Sequence, residues 1–153
     1  MEGALMERLR PWFDFRGRLS RLGFWRAYLR LTIISAIVAV VAMIASMAAG
    51  IWAAILFLPF VPIYVASIAM TVRRLHDRDR SAWWLVVFYL LPSGLIDAAY
   101  QLRDPTAQSL TVLLATLVGL GLVVWGVIEV GFLRGTPGYN RFGAMEFGPL
   151  ATR

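Results

Sequence analysis

The sequence has no cysteine and no lysine, and it contains a single histidine, His76. Without cysteine the chain has no disulfide, no thiolate metal site and no cysteine nucleophile. One histidine alone falls short of the three or four ligands of catalytic and structural zinc sites, so we predict no metal and no cofactor. Charge is also scarce: 16% of the residues are charged, 59% are hydrophobic and the mean hydropathy is +0.70. This composition departs from that of soluble domains in the direction of membrane proteins.

All fifteen basic residues are arginines, and the formal net charge is +6. In a soluble protein this balance would suggest a nucleic-acid partner. Here the arginines flank long apolar runs, so anionic lipid headgroups are the predicted partners and nucleic acid is not.

Four apolar runs are each near the roughly 20 residues that a helix needs to cross a bilayer. We place them at about residues 31–49, 51–72, 83–102 and 110–133, within one membrane domain that covers residues 1–153. The predicted fold class is therefore all-α, an integral membrane bundle of four transmembrane helices.

Local signals refine the ends and the regularity of these helices. Ser20 is a good N-cap, so the first helix is expected to begin there, before its apolar run. Gly50 is expected to form a tight hairpin between the first two spans. Pro59 and Pro62 are expected to kink the second helix, and Pro92 is expected to break or bend the third, because proline lacks the N–H that continues a helix.

The distribution of the arginines predicts the orientation of the bundle. Residues 1–30 contain seven arginines, residues 73–82 contain four and residues 134–153 contain three, whereas residues 103–109 contain one and the hairpin none. By the positive-inside rule, the three arginine-rich segments lie in the cytoplasm. Both ends of the chain are therefore predicted to be cytoplasmic.

Two carboxylates, Asp97 and Glu129, fall inside the predicted spans, and such residues are candidates for function because burying them is costly. The helical rise places Asp97 about 21 Å and Glu129 about 7 Å from the cytoplasmic face, too far apart in depth for a carboxylate dyad. We expect Asp97 to reach the outer interface and Glu129 to pair with Arg73, Arg74 or Arg134. The alternative function is a small oligomeric transporter or channel that uses Asp97 and Glu129.

Three stretches of the chain carry a family resemblance. They are Phe15-Arg16-Gly17-Arg18-Leu19-Ser20-Arg21 with Phe24-Trp25, Arg73-Arg74-Leu75-His76-Asp77 with Arg80-Ser81 and Trp83-Trp84, and Gly135, Gly138, Asn140, Phe142 and Gly143. Their order and spacing resemble the bacterial inner-membrane family catalogued as domain of unknown function 805, over roughly residues 12–149. Ala82 replaces the glycine that the family usually has, and the tail after Gly143 departs from the family pattern. The resemblance implies a multi-spanning α-helical protein of the bacterial cytoplasmic membrane and supplies no activity.

The predicted topology brings the three stretches together as one polar cap at the cytoplasmic end of the bundle. The candidate site residues of this cap are Arg16, Arg18, Arg21, Arg73, Arg74, His76, Asp77, Arg80 and Asn140. The cap is predicted to be either a structural lock or a site that binds anionic lipid or a partner, because guanidinium groups grip phosphate and carboxylate oxygens in pairs.

A membrane enzyme with His76 and Asp77 as acid–base groups is a further possibility, but no nucleophile or metal set accompanies them. We therefore predict a non-enzymatic protein and expect Asp77 to hold His76 as a loop clamp. A homo-oligomer or a membrane-protein partner is compatible with the sequence.

Overall fold

The computed structural model describes residues 6–7, 9–49, 55–102 and 104–144. Within these ranges the chain is all-helical, and no strand is present apart from an isolated bridge between Asn140 and Gly143. The elements in chain order are a 3-10 turn Arg10–Trp12, α1 Arg21–Ala49, α2 Phe60–Asp77, a π-helical turn Val86–Leu90, α3 Leu91–Tyr100, α4 Pro105–Val127 and a π-helical turn Ile128–Phe132. The predicted hairpin at Gly50, Arg103 in the predicted outer loop and the tail beyond Ala144 lie outside the described residues.

The first helix begins where the sequence predicts. Ser20 precedes α1, and its side-chain oxygen accepts a hydrogen bond of 3.1 Å from the backbone N–H of Gly23. A side chain that satisfies one of the free N–H groups at a helix start is the usual role of an N-cap serine. The N-cap prediction is confirmed.

The second helix is shifted along the chain relative to the prediction. Among the described residues α2 begins at Phe60 and continues five residues past Val72, to Asp77. Pro59 directly precedes α2 and Pro62 lies in its first turn, where a backbone N–H has no intrahelical partner and its absence in proline costs no helical hydrogen bond. The apolar span Ile55–Asp77 is interrupted at Pro59, which lies in the turn between the 3-10 residues 55–57 and α2, whereas Pro62 does not interrupt α2.

The third helix remains helical through Pro92. The irregularity lies just before this proline, in the π-helical turn Val86–Leu90, where the N–H of Leu91 donates to the carbonyl of Val86. Pro92 follows at the second position of α3. In the π-helical turn each N–H donates to the carbonyl five residues earlier instead of four. This change in the hydrogen-bond pattern lies directly before Pro92, which has no N–H to donate.

In the part of the chain that the structure describes, three helices are long and apolar enough to cross a membrane: Arg21–Met47, Ile55–Asp77 and Pro105–Phe132. The third predicted span, residues 83–102, corresponds to a shorter apolar helix, Val86–Tyr100. Large apolar side chains on the long helices, such as Ile37, Ile44 and Leu117, remain more than half exposed. Helices that are apolar on all sides and not covered by protein fit a lipid environment.

The buried core lies toward one end of the bundle, the end where α1 begins and where α2 and α4 finish. Its cluster consists of Phe24, Leu31, Ala66, Met70, Leu75, Phe88 and Val130. Close packing of α4 depends on Gly126, because a Cβ atom there would lie 2.8 Å from Cγ of Phe88. The polar groups of the predicted cap gather at this same end, which we call the cap end.

Candidate functional site

Asp77, the last residue of α2, is the centre of the polar cluster at the cap end. Its side chain is 1% exposed, and one carboxylate oxygen accepts from Nε of Arg18 at 3.1 Å. The other oxygen accepts from Nη1 of Arg74, one turn earlier on α2. Both arginine side chains are fully buried. We call Arg18, Arg74 and Asp77 the lock.

Arg18 connects the segment before α1 to the tail beyond α4. Its Nη1 donates to the carbonyls of Gly138 and Gly143, and its Nη2 donates to the carbonyl and the hydroxyl of Thr136. Together with the bond to Asp77, all three nitrogens of this guanidinium have partners. A planar group with five N–H donors is suited to such a set of convergent acceptors.

Arg74 connects α2 to the end of the last helix. Its Nε donates to the carbonyl of Val130 at 2.8 Å, and its Nη2 donates to the carbonyl of Leu133. Its Nη1 reaches Asp77 and, at 3.5 Å, the carbonyl of Leu19. The last carbonyls of a helix lack intrahelical donors and carry partial negative charge, so a buried cation is stabilised there.

The tail fits against Asp77 through a glycine and a threonine. A Cβ atom on Gly135 would lie 2.5 Å from the carboxyl carbon of Asp77, so no larger side chain fits without displacing the lock. The N–H of Thr136 donates to the carbonyl of Asp77 at 2.8 Å, and the Thr136 hydroxyl donates to the same carbonyl. Sequence reasoning identified Gly135 through the family resemblance and missed Thr136, for which the sequence held no signal.

Asn140 and His76 form a second layer around the lock. Asn140 donates from Nδ2 to the carbonyl of His76 at 2.9 Å and accepts at Oδ1 from the N–H of Phe142. The His76 ring stacks on Phe142 with centroids 3.9 Å apart, and its Nδ1 lies 3.2 Å from the carbonyl of Gly17. The predicted clamp between His76 and Asp77 is wrong, because the carboxylate is already held by the two arginines.

The remaining predicted cap residues lie around the lock and not in it. Arg21 donates to the carbonyl of Phe132 at 3.2 Å, and Arg73 donates to the carbonyl of Pro11. Arg16 is exposed at the surface. The backbone carbonyl of Arg73 also accepts from the N–H of Leu19, which ties α2 to the segment before α1.

Glu129 is buried in the π-helical turn after α4 and pairs with the loop beyond α2. Its Oε1 lies 3.1 Å from Nη2 of Arg78 and 3.5 Å from Nε of Arg80, and the Arg80 guanidinium also covers the Trp84 ring. The prediction that Glu129 pairs with an arginine is confirmed, but the partners predicted from sequence were wrong. The sequence placed the end of this helix at residue 72, so Arg73 and Arg74 were expected in the loop. The helix in fact continues to Asp77, and the first arginine after it is Arg78.

Asp97 is remote from this cluster. It lies on α3, a turn before the helix ends at Tyr100, and its side chain is exposed. Glu129 is buried beside two arginines at the cap end, so the two carboxylates occupy different environments. The structure does not bring the residues of the transporter alternative together.

The geometry of the lock has a clear chemical consequence. Two guanidinium groups share one carboxylate, and main-chain carbonyls accept the remaining N–H bonds. A buried charge is tolerated only when it is paired and hydrogen-bonded in this manner. The charged groups of the lock therefore bond within the protein. The positive charge that a ligand can reach comes from the exposed arginines around the lock.

Comparison with known proteins identifies the family of the chain. The model of the family described as Protein of unknown function (DUF805) matches residues 12–144, which contain all three segments of the cap end. The chain is also similar to Inner membrane protein YhaI of Escherichia coli strain K12 and of Escherichia coli O157:H7. The identity is 32% over 84 residues in each case, covering 54% of this chain and 67% of the relative. No solved structure matches the chain. With its apolar membrane-length helices, the chain belongs to this family of proteins of unknown function and is a protein of the bacterial inner membrane.

Proposed function

We propose that this chain is a non-enzymatic membrane protein with four spans and both ends in the cytoplasm. Its lock closes the cytoplasmic end of the bundle, and the exposed arginines around the lock bind anionic lipid headgroups. His76 and Asp77, the acid–base pair of the enzyme alternative, are engaged by Phe142 and by the two buried arginines. That engagement supports a structural role for both residues.

The positions of the helix ends support four crossings. The end of α2 carries Asp77 of the lock, and the carbonyl of Leu133, directly after the π-helical turn that continues α4, accepts from Arg74 of the lock. The helix Pro105–Phe132 has 28 residues, so it begins about 42 Å from the end that joins the lock. The stretch between α2 and α4 must cover that distance, and α3 with its π-helical turn lies on this route. A crossing by Val86–Tyr100 is the simplest path.

The observation that carries lipid binding is a set of exposed arginines at the cap end. Within the described part of the chain, these five form no ion pair with a carboxylate: Arg16, Arg21, Arg26, Arg30 and Arg134. Each arginine near an anionic membrane surface contributes about 1 kcal/mol of attraction. Fourteen of the fifteen arginines lie on the three segments predicted to be cytoplasmic, which supports the same orientation.

Two of these arginines stand directly above a lipid-facing surface. At 3.6 residues per turn, Arg26 and Arg30 share a sector of about 60° on α1 with Ile33, Ile37 and Ile44. All three isoleucines are at least half exposed. A face that presents isoleucine to acyl chains places its two arginines at the boundary with the headgroups, where long cationic side chains extend toward phosphate.

Native mass spectrometry of the purified protein tests the proposal. Detergent micelles are doped with equal amounts of phosphatidylglycerol and phosphatidylcholine, and the bound lipids are counted. We expect more phosphatidylglycerol than phosphatidylcholine to remain bound. The excess should decline as ammonium acetate is raised, because exposed charges are screened over about 8 Å at physiological ionic strength. Equal retention of the two lipids at low salt would contradict the proposal.

A further inference from the structure

An open groove lies at the cap end between the start of α1 and the tail beyond α4. Its volume is about 550 Å³, and its walls are formed by Ser20, Arg21 and Leu22 on one side and by Arg134, Gly135 and Pro137 on the other. The buried Asp77 contributes to the floor. The groove thus brings two exposed arginines, from opposite ends of the chain, to the same cavity.

The charges around the groove favour an anion. The lock beneath it combines Arg18 and Arg74 with the single carboxylate of Asp77, and both oxygens of that carboxylate accept from the lock arginines. Arg21 and Arg134 add two positive charges, and neither pairs with a carboxylate among the described residues. Four guanidinium groups near one carboxylate repel one another unless a further negative group joins them.

The depth of the groove identifies the source of that negative group. Trp25 follows Arg21 by one helical turn, donates from its indole to the carbonyl of Gly131 at 2.8 Å, and meets the Phe132 ring edge-on. Trp25 and Phe132 are both exposed, as expected for aromatic residues at a membrane interface. The groove therefore lies about 6 Å beyond this aromatic level, on the headgroup side. Exposed Leu22 lines the groove and offers an apolar contact to an acyl chain.

We infer that this groove is a binding site for the phosphodiester of an anionic phospholipid, held by Arg21 and Arg134. Guanidinium groups bind phosphate oxygens through paired N–H bonds, which gives such a site geometric selectivity beyond its charge. Arg21 is held near the cavity by its bond to the carbonyl of Phe132. The inference rests on the proposed function, because it names the place where the protein retains an anionic lipid.

A charge-matched pair of variants tests the site. Native mass spectrometry compares retention of phosphatidylglycerol by the double variant Arg21→Gln, Arg134→Gln and by Arg8→Gln, Arg10→Gln, which removes the same charge from the segment before α1. We expect retention to fall at least fivefold in the groove variant and less than twofold in the control. Arg134→Gln alone should also reduce retention. No described residue forms a hydrogen bond or an ion pair with the exposed Arg134 side chain, so this variant should keep the wild-type melting temperature in detergent, which separates loss of binding from unfolding.

The outcomes separate the groove from the wider proposal. If wild type retains phosphatidylglycerol and phosphatidylcholine equally, the proposed function fails and the site fails with it. If wild type prefers phosphatidylglycerol but both double variants lose retention equally, the lipid-binding proposal stands and the groove is overturned. Millimolar sn-glycerol 3-phosphate is added as a soluble competitor. Continued lipid retention supports the site, and displacement of the lipid would overturn the assignment to a membrane lipid.

Discussion

Asp77 carries a disproportionate share of the stability at the cap end, because its one carboxylate is the shared counter-ion of two buried guanidinium groups. Taking charged groups out of water is costly, and the cost is recovered only when every donor and acceptor has a partner. The carbonyls that complete the arrangement come from the π-helical turn after α4 and from the tail: Val130, Leu133, Thr136, Gly138 and Gly143. Removing the carboxylate would leave the two cations facing each other.

Asp77→Asn should therefore destabilise the protein strongly. Loss of one partner from a buried ion pair costs about 3–5 kcal/mol, since an uncompensated charge remains buried. Thermal unfolding in detergent, followed by circular dichroism, measures the effect. The matched control is Asp79→Asn, where an exposed pair with Arg141 is lost at a cost of about 0–1 kcal/mol. Asparagine also tolerates the φ of 56° at position 79. Equal melting temperatures for the two variants would show that the lock contributes nothing.

Gly135→Ala tests the close approach of the tail to the lock. The added methyl group would lie 2.5 Å from the Asp77 carboxyl carbon, so the tail or the carboxylate must move. Overpacking of this kind costs about 1–3 kcal/mol, and we expect a corresponding drop in melting temperature. Gly121→Ala on α4 is the control, because its Cβ atom meets nothing within 4 Å. A Gly135→Ala variant as stable as Gly121→Ala would contradict the packing argument.

At the scale of elements, the π-helical turn Ile128–Phe132 joins the last helix to the rest of the bundle. It packs against α1 and α2, and its carbonyls accept from Trp25 and Arg74. It also carries Glu129, which holds Arg78 and Arg80 from the loop beyond α2. Gly131 permits the contact with α1, since a Cβ atom there would lie 2.9 Å from the Trp25 ring.

Glu129→Gln should loosen this junction. The substitution keeps the shape and one acceptor but removes the charge that two arginines share, and hydrogen bonds to charged groups contribute about 1.5–3 kcal/mol. We expect a lower melting temperature in detergent. Asp97→Asn serves as the control, because that carboxylate is exposed and forms no ion pair with a described residue. If Glu129→Gln and Asp97→Asn melt at the wild-type temperature, the junction does not depend on the charge.

The sequence was sufficient to group the residues of the cap end but not to pair them. Arginine asymmetry and the motif positions predicted that Arg18, Arg74, Asp77 and Asn140 would meet, and the structure brings them together. The acceptors were not predictable, because most are backbone carbonyls whose availability depends on how α4 ends. The partners of Glu129 were missed because the length of α2 was underestimated. Since α2 continues to Asp77, the arginines of the loop beyond it are Arg78 and Arg80, and these two pair with Glu129.

At the scale of the whole molecule, the lock determines which helix ends are neighbours. It joins the segment before α1, the end of α2 and the segment after α4, so these three points lie at one end of the bundle. Because α2 and α4 both run toward this end, the chain between them must return along the bundle. The proposed arrangement of four spans with both chain ends on the same side supplies such a crossing through Val86–Tyr100.

Labelling of single cysteines tests this topology, and the absence of natural cysteine makes each introduced thiol unique. In spheroplasts treated with an impermeant maleimide, Gly50→Cys and Thr106→Cys should react directly. Ala82→Cys should react only after the membrane is permeabilised, because the positive-inside rule predicts a cytoplasmic location for the loop with Arg78 and Arg80. Ala82→Cys and Thr106→Cys lie on either side of Val86–Tyr100 in the chain, so together they test the number of spans. If both cysteines react from the same side of the membrane, Val86–Tyr100 does not cross it. Reaction of Ala82→Cys alone from outside would reverse the orientation, and the anionic headgroups of the cytoplasmic leaflet could then no longer be the partners of the exposed arginines.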